Sequence, residues 1–225
     1  MSHRKTTPPT TNARILIVDD HPAVREGLAL RIKSQPNLEV CGEAADVPEA
    51  LHLVAEAKPD VAVIDIALRN GNGLDLIKRI KAHDDRVRML VWSMYSESLF
   101  AERALRAGAL GYINKEHATD QIITAIRCVL EGRVYLSEPL TGQLLGRLVS
   151  GGDAAKRSPI TTLSDRELEV FRLIGNGLDT QAIAEKLCVS PKTVETYRAR
   201  IKEKLNLTGS VDLLRCALQW VIEKQ

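Results

Sequence analysis

Residues 15–22 read Ile15-Leu16-Ile17-Val18-Asp19-Asp20-His21-Pro22, an unbroken β-branched and leucine run that ends on two acids and a proline. A run without polar alternation suits a strand buried on both faces, the habit of parallel sheets. Pro22 then opens a helix, because proline fits the first helical turn and no later one. Four more short apolar runs follow: Leu38-Glu39-Val40-Cys41, Val61-Ala62-Val63-Ile64, Val87 to Trp92 and Gly111-Tyr112-Ile113. Between them lie segments of helical spacing. Leu28, Leu30 and Ile32 follow Pro22; Ala50, Leu51 and Val54 lie within Pro48 to Ala57; and Leu74, Ile77 and Ile80 follow Gly73. Leu99 to Ala107 is alanine-rich, and Ile122, Ile126 and Val129 close the half. Five strands alternating with helices require parallel pairing and right-handed crossovers. The first half is therefore predicted to be a doubly wound five-stranded α/β domain of flavodoxin-like type.

The pattern stops after Glu131. Residues 146–159 collect Gly146, Ser150, Gly151, Gly152, Ser158 and Pro159 and read as a linker, with room for a helix over Leu140 to Leu148. From Leu163 the chain reads as all-helical. Ser164-Asp165-Arg166-Glu167 is a capping box, and Gly175 and Gly177 supply a stop. Thr180 is placed as the cap of a short helix through Leu187. Ser190 before Pro191 opens a longer one to about Leu205, and a last helix runs from Asp212 to Val221. The expected division is a disordered lead over 1–12, an α/β domain over 13–131, a linker over 132–159 and a helical domain over 160–225, with a helix-turn-helix at about 180–199.

Composition excludes several classes. The chain has 225 residues, 44% hydrophobic and 27% charged, as expected of soluble globular domains. No apolar run is long enough to span a bilayer, so no membrane partner is expected. Met1 to Asn12 is polar and lacks the apolar stretch of a secretory signal, which points to the cytoplasm. Cys41, Cys128, Cys188 and Cys216 are too far apart for a CxxC metal site and sit among apolar residues. Net charge is only +2, but six cations (Lys186, Lys192, Arg198, Arg200, Lys202, Lys204) face two acids (Glu195, Glu203) between 186 and 204. A local basic stretch of this kind suits nucleic acid, although a solvated helix face has the same composition.

Three acids fall at the C-terminal ends of strands: Asp19 and Asp20 after the first, Asp65 after the third. Ligands of open parallel sheets bind at that edge, where strand order reverses. Three carboxylates in one small site repel one another, and a hard divalent cation such as Mg²⁺ relieves this with oxygen ligands. Ser93 ends the fourth strand and Lys115 the fifth. A hydroxyl and an ammonium beside an acid nucleophile and a metal are the parts needed for an acyl phosphate. In the second half, short helix, Cys188-Val189-Ser190 turn and longer helix would let the second helix enter a DNA major groove. Lys192 and Thr193 lie in its first turn, suited to phosphate contacts. Glu195, Thr196 and Ala199 share an exposed face, flanked by Arg198, Arg200 and Lys202, and Val194, Ile201 and Leu205 have the spacing of a buried face. A helical hairpin used only for packing has the same pattern.

Asp19-Asp20, Asp65, Ser93 and Lys115 match, in order and spacing, the receiver domain of response regulators over about residues 13 to 131. Leu163-Ser164-Asp165-Arg166-Glu167-Leu168-Glu169-Val170, Ala182-Ile183-Ala184, Ser190-Pro191-Lys192-Thr193-Val194-Glu195 and Ile201 through Lys204-Leu205 resemble a LuxR-type DNA-binding domain. The whole chain thus resembles the NarL/FixJ family of two-component response regulators. The resemblance implies that Asp65 accepts a phosphoryl group from a sensor histidine kinase. It implies Mg²⁺ held by Asp19 or Asp20, Asp65 and the backbone carbonyl of Ala67, and no organic cofactor. Tyr112 falls at the family's aromatic switch position, its ring expected to turn inward as Ser93 moves. It implies a phosphorylation-dependent transcription regulator, not an enzyme beyond its own phosphorylation and dephosphorylation. Its partner would be inverted-repeat double-stranded DNA, bound as a homodimer often through the last helix. The chain departs from the family at Leu68 and Arg69, where Met-Pro is common, so the loop through Gly73 is expected to be more mobile. Tyr197 stands where many members carry His. A phosphohydrolase would need an acid at position 67, where Ala67 stands. A nucleotide-binding module would need a glycine-rich phosphate cradle that the sequence lacks. A receiver that signals without phosphate, or through protein partners, keeps the same motifs.

Overall fold

The computed structural model describes residues 12–69, 71–116, 121–149 and 159–222. Residues 1–11 of the expected lead over 1–12, and residues 150–158 of the linker, lie outside them. Five strands form one sheet: β1 (Ala13–Val18), β2 (Leu38–Ala44), β3 (Val61–Ile64), β6 (Arg88–Ser93) and β7 (Gly111–Asn114). Their order is β2-β1-β3-β6-β7, all parallel, the arrangement expected of the flavodoxin-like class. β1 and β3 lie at the centre, and Ile15 to Val18 and Val61 to Ile64 are buried without exception, which is why their sequences do not alternate. Helices α1 (Pro22–Lys33), α2 (Val47–Ala57), α3 (Gly73–His83), α4 (Glu97–Ala107) and α5 (Ile122–Leu130) cover the two faces. Leu28 and Ile32 of α1 enter the core, whereas Leu30 is 70% exposed, because a residue two after Leu28 turns to the far side of the helix.

Two features of this half depart from expectation. The loop after β3 is no free coil: Ala67–Leu68 (β4) and Gly71–Asn72 (β5) pair as a small antiparallel hairpin, with Leu68 and Asn72 buried; Asn70 lies outside the described residues. The sheet also continues past residue 131. The Tyr112 N–H donates to the Tyr135 carbonyl at 3.0 Å, and the Tyr135 N–H donates to the Leu110 carbonyl at 2.9 Å. The chain leaving α5 therefore lies along β7 and covers the sheet edge. α6 (Glu138–Val149) follows, beginning earlier than expected.

The second half is helical: α7 (Asp165–Gly175), α8 (Thr180–Leu187), α9 (Pro191–Lys204) and α10 (Ser210–Ile222). Phe171 of α7 and Trp220 of α10 pack in its core with ring centres 5.5 Å apart. Gly175 allows that approach, since a Cβ there would lie 2.4 Å from the Ala217 carbonyl oxygen. The capping box forms as read: the Ser164 side chain accepts from the Glu167 N–H and Glu167 accepts from the Ser164 N–H. α9 starts on Ser190 and Pro191 as read. The cap of α8 is Asp179, not Thr180; the Asp179 carboxylate accepts from the Ala182 N–H at 2.8 Å, and Thr180 instead donates to Glu195 of α9. A carboxylate one residue earlier wins because it can reach the third N–H of the helix. No helix among the described residues is long and apolar enough to cross a membrane.

Glu167 ties two helices, since it caps α7 and accepts from Lys204 Nζ of α9 at 2.5 Å. Burial opposes its charge, but the Lys204 ammonium and the Ser164 N–H outweigh it and hold the carboxyl below its ordinary pKa. A depressed pKa gives stability that is present above the unfolded value of 4.5 and lost as pH falls through the folded one. Glu167→Gln should therefore lower unfolding free energy by about 1–2 kcal/mol at neutral pH. In urea denaturation followed by circular dichroism, the gap between the two proteins should close as pH drops below the carboxylate range.

Candidate functional site

The parallel register assembles the site. Val18 pairs with Ile64, Ile64 with Val91 and Ser93 with Asn114, so Asp19, Asp65, Ser93 and Lys115 all leave the sheet at one edge. Asp19 and Asp65 are buried, at 2% and 4% exposure, and Ser93 is fully buried. Lys115 Nζ bonds Asp65 Oδ2 at 2.6 Å and also Asp19 Oδ2. Ser93 Oγ donates to Asp65 Oδ1 at 2.6 Å, and the Ala67 N–H donates to the same oxygen at 3.3 Å. The His21 N–H donates to Asp19 Oδ1 at 2.9 Å. Burial works against the charge of Lys115, but Asp65 and Asp19 together more than offset it and raise its pKa. One ammonium thus balances two buried carboxylates.

Asp20 completes the cluster. Ligand atoms of Asp19, Asp20, His21 and Asp65 all lie within 4.8 Å of one another. Asp20 Oδ1 is buried with no aligned hydrogen-bond donor among the described residues, although His21 Nδ1 approaches it to 2.7 Å. A buried carboxylate oxygen short of a donor, beside two more acids, is a donor set that fits a hard divalent cation. His21 is the one member of the group that sequence reading passed over.

The Tyr112 ring is fully buried and already turned inward, where its hydroxyl donates to the Tyr95 carbonyl at 2.7 Å. The Tyr112 ring thus lies inward in this structure, against the backbone of Tyr95. Burial, then the nearby Asp65 carboxylate, push its phenol well above the ordinary range. Tyr95, two residues after Ser93, was not foreseen. It is 3% exposed, and its hydroxyl donates to Glu169 Oε1 of α7 at 3.1 Å. Burial, then Glu169, raise its pKa, so it remains a donor. Nothing local in the sequence marks Tyr95. Glu169 carries one cue, in that Leu168, Val170, Phe171, Leu173 and Ile174 leave α7 apolar around most of its circumference.

The second group of predicted residues lies on α9. Lys192, Glu195, Thr196, Ala199 and Arg200 are exposed on one face, while Val194 and Ile201 are buried on the other. Arg198 differs from expectation: its side chain is 16% exposed and pairs with Glu195, so it lies against the helix rather than outward. Thr193 and Lys202 are half-buried. On α10, Val211, Leu214, Leu218 and Ile222 leave an apolar stripe open, with Ile222 73% exposed.

Comparison with known proteins agrees across both halves. Residues 15–127 match the response regulator receiver domain, and residues 161–217 match the luxR family of bacterial regulatory proteins. Response regulator GacA of Pseudomonas aeruginosa is 35% identical over 206 residues, covering 92% of this chain and 95% of the relative. Oxygen regulatory protein NreC of Staphylococcus haemolyticus is 37% identical over 210 residues, covering 92% and 97%. Among solved structures, RcsB of Salmonella enterica serovar Typhimurium bound to promoter P1flhDC with a phosphomimetic covers 92% of this chain and 98% of its own. It shows a TM-score of 0.62 at 26% identity. A LuxR-family response regulator from Aurantimonas covers 62% of this chain and 99% of its own, with a TM-score of 0.57 at 37% identity.

Lys115 Nζ lies 5.4 Å from the ring centre of Trp92, which makes that indole a reporter of the cluster. Titration with Mg²⁺ should change tryptophan fluorescence in the wild type, and Asp20→Asn should shift the midpoint up by about tenfold or more. Equal midpoints would remove Asp20 from the cation site.

Proposed function

The chain belongs to the NarL/FixJ family of two-component response regulators, and on that premise we propose that Asp65 is its phosphoacceptor and α9 its DNA-reading helix. The donor is the phosphohistidine of a sensor kinase. A carboxylate oxygen of Asp65 attacks phosphorus, the new O–P bond forms, and the N–P bond breaks with its electron pair leaving on the histidine nitrogen. Lys115 is held at the site by ion pairs to Asp65 and Asp19 and can follow the charge onto the phosphoryl oxygens. Ser93 is close enough to donate its hydroxyl hydrogen bond to one of those oxygens. Asp19, Asp20, Asp65 and the Ala67 carbonyl would hold Mg²⁺, which supplies charge neutralisation for the transferring group. The observation that carries the reading is the convergence of Ser93 and Lys115 on the two oxygens of one buried carboxylate. No substrate chemistry beyond its own phosphorylation and dephosphorylation is assigned, and the place of action is the cytoplasm.

The output is DNA. Lys192, Thr193, Glu195, Thr196, Arg200 and, at the margin, Arg198 and Lys202 form the proposed contact surface of α9, with the helix N-terminus toward the duplex. The open stripe of Val211, Leu214, Leu218 and Ile222 supports a second copy docking along α10, which suits an inverted-repeat site read by a homodimer. RcsB, a relative, has been seen bound to promoter DNA with a phosphomimetic.

Two measurements test this. Incubation with Mg²⁺ and acetyl phosphate should add a phosphoryl mass of about 80 Da to the wild type and none to Asp65→Asn. An adduct on the variant would assign the acceptor elsewhere. Arg200→Ala should weaken binding to a duplex selected from a random pool and lower the salt slope by about 1, as expected for loss of one phosphate contact.

A further inference from the structure

Glu169 belongs to α7, in the DNA-binding half, yet it is 1% exposed because it is buried against the receiver. Its carboxylate accepts from the Tyr95 hydroxyl at 3.1 Å, from Asn72 Nδ2 at 3.1 Å and from Arg166 at 2.7 Å. The Tyr95 ring is fixed further by the Arg172 guanidinium, 3.7 Å from its centre, and by Phe100 at 4.8 Å. The backbone of the same tyrosine belongs to the reaction site. Its N–H approaches Ser93 Oγ at 3.4 Å, and its carbonyl accepts from Tyr112 at 2.7 Å and Asn114 at 3.3 Å.

The reacting end has no slack. Asp65 Oδ1 is capped by Ser93 and Asp65 Oδ2 by Lys115, each at 2.6 Å. A phosphoryl group joined to either oxygen crowds the side chain already bonded there and weakens that contact. Movement of Ser93 carries Tyr95, whose phenol is pinned to another domain. We propose that Glu169 is a positioning residue for phosphoryl transfer: by holding Tyr95 it holds Ser93, so the docked DNA-binding half slows phosphorylation of Asp65. The docked form leaves Lys192, Glu195, Thr196 and Arg200 of α9 exposed, so what it restrains is the chemistry and not access to the reading face. This inference rests on Asp65 being the acceptor.

The test follows the rate of phosphoryl incorporation from acetyl phosphate and Mg²⁺ in full-length proteins by intact mass. Glu169→Ala should react about three- to tenfold faster than wild type, the net scale of one ordinary hydrogen bond, and Glu169→Gln, which still accepts from Tyr95, should fall between. Tyr95→Phe should match Glu169→Ala, and the double variant should be no faster than either, because both cut one link. Arg103→Ala serves as a variant outside the buried cluster. Arg103 donates to the Leu163 carbonyl at 2.8 Å and Asp165 at 3.0 Å at the rim of the dock, and its loss should also accelerate the reaction. Wild-type rates in folded Glu169→Ala and Arg103→Ala would overturn the proposal, as would a fully additive double variant. Absence of any adduct on the wild type would instead overturn the Asp65 reading.

Discussion

Asp19 and Asp65 share the ammonium of Lys115, and the receiver half is built so that they can. Two carboxylates buried side by side repel strongly, and each would shed its charge without a partner. The cation is supplied by the last sheet strand, two strands away from β3. Its reach depends on the register that ends β1, β3, β6 and β7 on one level. A slip in any of these ladders would leave buried charge unpaired, at a cost of several kcal/mol. The apolar strands specify a sheet, and the ion pairs penalise the wrong alignment of it.

The same compactness links the site to the rest of the chain. Ser93 and Tyr112 sit on neighbouring strands and meet at Tyr95, whose side chain leaves the receiver and enters the surface of α7. Hydrogen bonds of 2.6 to 3.4 Å connect Asp65 to Ser93, Ser93 to Tyr95 and Tyr95 to Glu169. Asn72 braces this path from a second side. Its side-chain oxygen caps α3 through the Leu74 N–H at 2.8 Å while its amide donates to Glu169. A residue that read as belonging to a loose loop is therefore held by both domains.

The sequence was most legible where the local pattern and the tertiary demand coincide. Ile15 to Val18 and Val61 to Ile64 are apolar on both faces because the sheet is covered on both faces, and the acids that follow them must then lie at one edge. Ser190-Pro191 and the capping box at Ser164 were readable because a cap acts within one helical turn. What could not be read depended on contacts far apart in the chain. Tyr95 and Glu169 are 74 positions apart and look ordinary in their own surroundings. Arg198 reads as a free cation until Glu195 is seen to hold it. The hairpin of β4 and β5 was missed because each of its strands is two residues long, too short for any alternation to register.

Tyr135 has a role apart from signalling. A strand at the border of a sheet offers unpaired N–H and C=O groups to any passing chain, and proteins normally blunt or cover such borders. Here the cover on β7 is the first stretch of the tether to the second domain, and it uses the Tyr112 N–H and the Leu110 carbonyl. The backbone that pairs with β7 thus includes Tyr135, which lies past the end of α5. A protease that cut between Leu130 and Tyr135 would do more than separate the two halves. It would free the cover to peel from β7 and hand the receiver a sticky seam, turning loss of regulation into a route to self-association.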